Sequence, residues 1–222
     1  MQQKLSLLLL WMVPFVFSLS VHEFAHAWVA NALGDPTAKF LGRLNLNPMS
    51  HADLFGTLIF PVVGFFFNFP LIGWAKPVPV NESNLKNRSR DGMWVAAAGP
   101  ISNFILALIF TFCAAMLHKM SPSLAQNLQN SDIRSWGGMG ALFLMCVFGL
   151  QLNVILGFFN FLPLPPLDGG RVLKGLFPQI SPQLAIVERY GFMFLLILLY
   201  TGLLRFLLAP AFSLIAFLSS LI

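Results

Sequence analysis

The stretch SVHEFAHAWVA, residues 20–30, places two histidines and a glutamate inside a long apolar run. That run covers residues 5–33 and contains no other ionisable side chain. Its length and composition predict a helix that crosses a lipid bilayer. Ionisable groups at membrane depth are costly and normally mark a function, so this turn of helix is expected to be retained for more than packing.

The first twenty residues also have features of a secretory signal peptide, namely one lysine, an apolar core and a small-residue end. The apolar run does not stop there but continues past the histidines to residue 33. We therefore predict a retained helix over 5–33, with cleavage as the alternative.

The whole chain has the composition of a polytopic membrane protein. Of its 222 residues, 57% are hydrophobic and only 9% are charged, which is too little polar surface to cover a soluble domain. The sequence predicts an all-α polytopic membrane protein with about five transmembrane helices, in a range of about four to six, and one membrane-embedded domain over 1–222. Helices are expected over 5–33, 93–118 and 139–160, with C-terminal helices within 185–222.

The net charge of +5 comes from lysines and arginines scattered through short loops, which is typical of membrane proteins and argues against nucleic-acid binding. Cys113 and Cys146 both lie in apolar segments and have no CxxC partner. We therefore expect neither a disulfide framework nor a cysteine metal site, and interpret both thiols as small packing residues.

The pair His22 and His26 has the spacing of two metal ligands on a helix. Four residues apart, the two imidazoles lie on one face and can reach one ion, while Glu23 lies beside it. A metal makes its bound water acidic, and the glutamate can then act as general base. A chance HExxH is the alternative, but three ionisable groups on one apolar turn are poorly explained by packing.

Two protein ligands are rarely enough for a metal, so a third is expected elsewhere. Asp35 reaches the metal only if Gly34 reverses the chain. Asp168 is the better candidate, because it follows a proline-rich stretch, NFLPLPPLDGGRV at 160–172, that forbids helix and predicts an extended arm over 160–170. The alternative for Asp168 is a loop residue that caps the following helix.

Taken together, HEFAH, GWAKPVPVN at 73–81, GPISN at 99–103 and NFLPLPPLDGG at 160–170 resemble the site-2 protease family of intramembrane zinc metalloproteases. The resemblance implies that His22, His26 and Asp168 hold one zinc ion per chain and that Glu23 is the catalytic base. It also implies site-lining roles for Asn160, as a group that holds substrate or the developing oxyanion, and for Asn103.

The stretch RLNLNPMSHADLFGT, residues 43–57, resembles the compact bacterial branch of that family, without a PDZ insertion or a CBS tail. Its His51 is expected to support a zinc ligand or to contact substrate. A histidine in a loop at the membrane interface is the alternative.

A shared metal site constrains the topology, because the ends of the segments that carry HEFAH and Asp168 must face the same side. Segment 57–74 is therefore expected to form a re-entrant or interfacial hairpin, for which its prolines and glycines are suited. Residues 39–47 and 75–81, within the region 38–81, alternate like strands and predict a small membrane-associated β-sheet whose free edge pairs with unwound substrate. An amphipathic loop on the headgroups is the alternative.

Counting cations supports a cytoplasmic orientation of the active-site end. With the hairpin in place, nine cations share the side of the site and four lie opposite. The nine are Lys39, Arg43, Lys76, Lys86, Arg88, Arg90, Arg171, Lys174 and Arg189, and the four are Lys4, Lys119, Arg134 and Arg205. The predicted location is the bacterial inner membrane.

The predicted function is zinc-dependent endopeptidase cleavage within or near transmembrane segments of membrane-protein substrates. The expected partners are such a substrate and the lipid bilayer, and the sequence carries no signal for an oligomeric state. The alternative is a non-proteolytic membrane protein, either a zinc transporter or a pseudoprotease that binds membrane helices. A transporter should carry polar residues along a path through the membrane, whereas Glu23 is the one acidic residue deep in an apolar segment.

Overall fold

A computed structural model of the chain describes residues 2–67, 73–122 and 137–222, and the regular elements in these ranges are helices. In chain order the α-helices are α1 Gln2–Ala32, α2 Thr37–Phe40, α3 Pro48–His51, α4 Phe60–Phe67, α5 Arg88–Met120, α6 Gly137–Phe161, α7 Asp168–Leu176, α8 Ser181–Tyr200, α9 Leu203–Leu207 and α10 Ala209–Ser219. A π-helical turn, Leu54–Ile59, leads into α4. The all-α part of the predicted fold class agrees with this architecture.

Helix α1 is continuous through the apolar run that contains the histidines. Its 31 residues rise ~46 Å, which is longer than the ~30 Å hydrocarbon layer of a bilayer. The helix ends where Gly34 adopts a φ of 109° and the Asp35 N–H donates to the Ala30 carbonyl at 2.8 Å. The histidine turn therefore lies ~9–15 Å before the C-terminal end of α1.

Helix α5 packs against both α1 and α6, so these three long helices form the centre of the molecule. Small residues allow the close approach that helix packing in membranes requires. Ala107 and Ala114 of α5 are fully buried, and Gly149 of α6 lies directly against the ring of Phe110. Helix α10 adds Ala211 to the same core.

The number of long apolar helices is smaller than predicted. By length and composition, three helices in the described residues could cross a membrane, namely α1, α5 and α6, with a possible fourth formed by the bent pair Pro178–Leu184 and Val187–Tyr200. The bend in that pair is 67°. The 11 residues of α10 rise only ~17 Å, which is too short for a full span. The described residues therefore contain three or four such helices, at or just below the lower end of the predicted range of about four to six.

The predicted β-sheet is wrong, because none of the described ranges contains a strand. Over residues 39–47 the alternating pattern is overridden by local helix and turn signals. Lys39 lies in helix α2, Gly42 then takes a left-handed φ of 65°, and the Asn47 side chain accepts the Met49 N–H to cap α3. These turns leave no extended run long enough to pair.

Residues 75–81 form neither helix nor strand, and Pro77 and Pro79 keep them extended, since each fixes its own φ and restricts the residue before it. Pro77 and Pro79 supply no N–H for a ladder. The N–H of Lys76 donates to the His51 carbonyl at 2.8 Å, and the N–H of Val78 donates to the Glu23 carboxylate at 2.8 Å. The Lys76 and Val78 N–H groups are therefore bonded to helix α3 and to a side chain, not to a second strand. We call this segment, residues 73–81, the extended arm.

The two ends of segment 57–74, which was expected to form a hairpin, lie side by side. The Trp74 N–H donates to the Gly56 carbonyl at 3.2 Å, and the Thr57 hydroxyl donates to the Trp74 carbonyl at 2.9 Å. Between them α4 is short, and the turn of the expected hairpin, at residues 68–72, lies outside the described residues. The extended arm therefore starts beside the residues from which this segment departs.

The link from α6 to the aspartate is a series of turns and is not extended throughout. The Leu164 N–H donates to the Leu162 carbonyl at 2.7 Å, and the Leu167 N–H donates to the Leu164 carbonyl at 2.9 Å. Asp168 is the first residue of α7, and the N-cap position before it is occupied by Leu167, so Asp168 is not the capping residue of the alternative. The carboxylate is therefore available for other partners.

Candidate metal centre

Three side chains from distant parts of the sequence meet at one point. The Nε2 atoms of His22 and His26 lie 3.1 Å apart, and the Asp168 Oδ2 lies 3.2 Å and 3.3 Å from them. In the described part of the chain this is the one group of three or more His, Cys, Asp or Glu side chains arranged to hold a metal ion. Helix α1 supplies the two imidazoles, and the first residue of α7 supplies the carboxylate.

The hydrogen bonds of the other ring nitrogens fix the tautomers of the two histidines. The His26 Nδ1 lies 2.7 Å from the Val95 carbonyl, and the His22 Nδ1 lies 2.7 Å from Asn103 Oδ1. Both oxygens can only accept, so each Nδ1 carries the proton and donates it. With Nδ1 as the donor in each ring, the two Nε2 atoms face each other and Asp168.

This arrangement fits a zinc ion. When both Nε2 atoms are unprotonated, as metal binding requires, these three acceptors repel one another at ~3 Å unless a cation lies among them. Ligands on a tetrahedral zinc with bonds of ~2.0–2.2 Å are themselves about 3.3–3.6 Å apart, close to the separations observed. Two imidazole nitrogens and one carboxylate oxygen are also ligand types of catalytic zinc sites. The donor set and its spacing thus both suit the metal.

A glycine of α5 allows that helix to reach the histidines. A Cβ built on Gly99 would overlap His26 Nε2 and lie 2.6 Å from His22 Cε1. With only a hydrogen at this position, α5 comes close enough for Val95 and Asn103 to accept from the two imidazoles. The glycine of the GPISN motif is therefore part of the geometry of the site.

Glu23 is almost completely buried, with 8% of its surface exposed, and it does not belong to the three-ligand cluster. Its Oε2 accepts the Val78 N–H of the extended arm. Pro77 and Pro79 lack an N–H, so Val78 is the one possible backbone donor among these three residues. The arm therefore fixes one carboxylate oxygen and leaves Oε1 as the oxygen available for chemistry.

A cavity of about 740 Å³ lies against these groups. Its walls combine the histidine turn of α1, the extended arm 73–81, the last turns of α6 and the start of α7. Asn160 lines it, with one Nδ2 hydrogen donated to the Leu156 carbonyl at 3.0 Å, which leaves its second Nδ2 hydrogen and its Oδ1 for other partners. The volume suits a short peptide segment.

His51 lies away from the three-ligand cluster. It is buried, its Nε2 hydrogen-bonds to the Asn45 carbonyl at 2.8 Å, and its own carbonyl accepts the Lys76 N–H. These contacts connect α3 to the arm that holds Glu23. His51 is therefore linked to Glu23 only through the arm, since its carbonyl accepts from Lys76 and Glu23 accepts from Val78 two residues later.

Asp35 is also buried but is occupied elsewhere. Its Oδ2 accepts the Asn81 N–H at 2.7 Å, and its Oδ1 accepts from the Asn84 amide at 2.8 Å and from Thr37. Burial alone would raise the pKa of Asp35, but these hydrogen bonds lower it below its usual value. The carboxylate therefore ties the end of α1 to the end of the arm, and it does not join the histidines.

Several groups at the site were not identified from the sequence. Ser18 and Asn153 are fully buried, and Asn153 hydrogen-bonds to both Ser18 and Asn103. The Val95 carbonyl and the Val78 N–H contact the histidine turn. A polar residue in an apolar helix was the available signal for Ser18 and Asn153. The backbone contacts carry no such signal, because any residue type supplies a carbonyl and almost any supplies an N–H.

Comparison with known proteins gives matches over most of the chain. The family model described as "Peptidase family M50" matches residues 10–199. "Putative zinc metalloprotease YwhC" of Bacillus subtilis is 39% identical over 207 residues, which are 93% of this chain and 87% of that protein. "Putative zinc metalloprotease Rip2" of Mycolicibacterium smegmatis is 28% identical over 191 residues, which are 84% of this chain and 65% of that protein. No solved structure matches the chain.

Proposed function

The chain belongs to peptidase family M50 and is a zinc-dependent intramembrane protease, and we propose that His22, His26 and Asp168 hold one zinc ion per chain. The resemblance to the site-2 proteases is thereby confirmed. The observation that supports the ligand set is the convergence of two imidazole Nε2 atoms and one carboxylate oxygen within 3.3 Å of one another. Nothing in the comparisons favours the transporter or pseudoprotease alternative.

Zinc bound there would supply Lewis-acid catalysis, polarising the scissile carbonyl and allowing water to lose a proton near neutral pH. Glu23 is proposed as the general base. Its Oε1 accepts the proton of the attacking water and then donates it to the nitrogen of the leaving amine. The Val78 N–H holds Oε2 throughout, so the carboxylate keeps one orientation.

Three further residues are proposed to assist. Asn160 lines the cavity, and its free amide hydrogen is placed to bind substrate or the developing oxyanion. Asn103 accepts the His22 Nδ1 proton and so orients that ligand. His51 acts through the arm, because its carbonyl holds Lys76 two residues before the donor to Glu23.

The proposed substrates are transmembrane segments of membrane proteins. A peptide in a helix shields its own carbonyls, so a substrate must unwind before it enters the cavity and reaches Glu23. The site opens at one end of α1, and the cation distribution of the sequence supports placing that end at the cytoplasmic face of a bacterial inner membrane.

A cleavage assay in detergent tests the function. The purified chain is incubated with a panel of single-pass membrane substrates, before and after removal of zinc by a chelator and again after zinc is restored. We expect cleavage to stop with the chelator and to return with zinc, because the three ligands have no role without a metal. Undiminished cleavage by protein shown to be zinc-free would contradict the proposal.

Substituting Asp168 tests the ligand set. Asp168→Asn removes the negative charge from the cluster and should lower zinc affinity by more than the roughly 10–100-fold that loss of an outer partner costs. Zinc affinity is measured on purified protein by competition with a chelator of known affinity. Asp35→Asn is the matched control, since it alters a buried aspartate of α1's end that does not face the histidines. Zinc loss in Asp35→Asn with retention in Asp168→Asn would reverse the assignment.

A further inference from the structure

Three polar side chains are completely buried where α1, α5 and α6 meet. Ser18, Asn103 and Asn153 each have no exposed surface. Burying an amide among apolar helices costs free energy unless its hydrogen bonds are all made. Of the three, only Asn103 hydrogen-bonds to a proposed zinc ligand. Ser18 and Asn153 can therefore affect that ligand only through their hydrogen bonds within this group.

Two acceptors fix the orientation of the Asn153 amide. Its Nδ2 lies 2.8 Å from the Gly149 carbonyl, which can only accept. The same Nδ2 lies 2.7 Å from the Ser18 hydroxyl, whose single hydrogen is already donated to the Pro14 carbonyl at 2.6 Å. Both neighbours therefore require the NH₂ group on this side, and the Asn153 Oδ1 must face the other way.

This orientation is passed on to the histidine. The Asn153 Oδ1 accepts from Asn103 Nδ2 at 2.8 Å, so the Asn103 Oδ1 is turned toward His22. An oxygen at 2.7 Å from His22 Nδ1 requires the proton on Nδ1. We propose that Asn153 is a positioning residue that, through Asn103, sets the His22 tautomer and aims its Nε2 lone pair at the zinc site.

The second histidine provides an internal comparison. His26 donates its Nδ1 proton directly to the Val95 carbonyl, and a backbone carbonyl cannot flip. His22 instead donates to the side-chain amide of Asn103. That amide can flip, and its NH₂ group, a donor, would then lie where its oxygen, an acceptor, lies now. The amide relay of Asn153, Asn103 and His22 therefore gives His22 a hydrogen-bond acceptor of fixed orientation, as the backbone of α5 does for His26. This inference rests on the proposed ligand set.

Zinc affinity of Asn153 variants tests the relay without any activity measurement. Asn153→Leu keeps a similar size but frees the Asn103 amide to flip, so zinc affinity should fall by roughly 10–100-fold. Asn153→Asp should bind zinc nearly as well as the unchanged protein, because a buried protonated carboxyl donates to Gly149 and accepts from Asn103 in the same directions. Asn153→Ala, which removes the amide without adding bulk, is a second test if Asn153→Leu does not fold.

A double substitution distinguishes the effect of hydrogen-bond direction at His22 from the effect of altered packing at position 153. In Asn103→Asp/Asn153→Leu, the carboxylate can only accept from His22, so zinc affinity should recover relative to Asn153→Leu alone. Gln151→Leu, a polar-to-leucine change on the same helix, is the control and should leave affinity unchanged. Unchanged affinity in both Asn153→Leu and Asn153→Ala, or no recovery in the double variant, would overturn the relay.

The same measurements distinguish this inference from the ligand set beneath it. If His26→Ala binds zinc as tightly as the unchanged protein, the proposed ligands are wrong. If His26→Ala loses zinc while Asn153→Leu and Asn153→Ala retain it, only the relay is wrong.

Discussion

Glu23→Gln is expected to lower the rate of peptide cleavage by roughly 10²–10⁴-fold, the usual contribution of a general base, with zinc content unchanged. Glutamine has the same shape as glutamate, and its Oε1 can still accept the Val78 N–H that holds the native carboxylate. The amide cannot take a proton from water, so only the chemical step is lost. Because Glu23 is not one of the three converging ligands, the metal should stay.

The measurement pairs initial cleavage rates with the zinc content of the same purified samples. Glu188→Gln is the control, since this exposed glutamate of α8 does not line the catalytic cavity and its loss should leave the rate unchanged. Glu23→Gln protein that binds zinc and still cleaves at the original rate would show that another group is the base.

The convergence of His22, His26 and Asp168 could be anticipated because the geometry is local or the chemistry distinctive. His22, Glu23 and His26 lie on one helical turn, so their spacing alone places the two ligands together. Asp168 follows His26 by 142 positions. It could be nominated because the prolines and glycines around it form an irregular segment beside an apolar helix, which is tolerated where it lines a cavity.

The β-sheet could not be predicted correctly, because the alternating pattern of residues 39–47 and 75–81 says nothing about partners. Caps and turns such as Asn47 use local hydrogen bonds and override a pattern that depends on pairing. On the arm, the decisive contact of Val78 is with a carboxylate 55 residues earlier in the chain. Strand propensity is consistent with an extended arm whether or not a second strand is present.

The hydrogen bonds that orient the proposed ligand His22 could not be predicted, for a related reason. Ser18, Asn103 and Asn153 are visible in the sequence as polar residues in apolar helices, and their cost of burial predicts that they pair. Which of them donates to which depends on three helices meeting at one level. The direction of the relay therefore emerges only once the acceptors Gly149 and Pro14 are located.

Gly99→Ala should remove most zinc binding and cleavage through one added methyl group. The new Cβ would overlap His26 Nε2 and His22 Cε1, both atoms of the metal cluster. Either the imidazoles turn away from Asp168, or α5 moves back and withdraws Val95 and Asn103 from their Nδ1 protons. Both responses misplace ligands, so zinc affinity should fall by at least the roughly 10–100-fold expected for loss of outer support. Overpacking should also cost about 1–3 kcal/mol of stability.

Gly92→Ala, seven residues earlier on α5, is the matched control, because a Cβ there has no heavy atom within 4 Å. Both substitutions gain about 1 kcal/mol of helix propensity, so Gly92→Ala should be neutral or stabilising while Gly99→Ala is destabilising. The opposite signs separate a steric effect at the metal site from a general effect of alanine on the helix. Thermal unfolding and zinc competition on the two variants give the comparison. Full zinc affinity in Gly99→Ala would mean that α5 does not approach the histidines as closely as described.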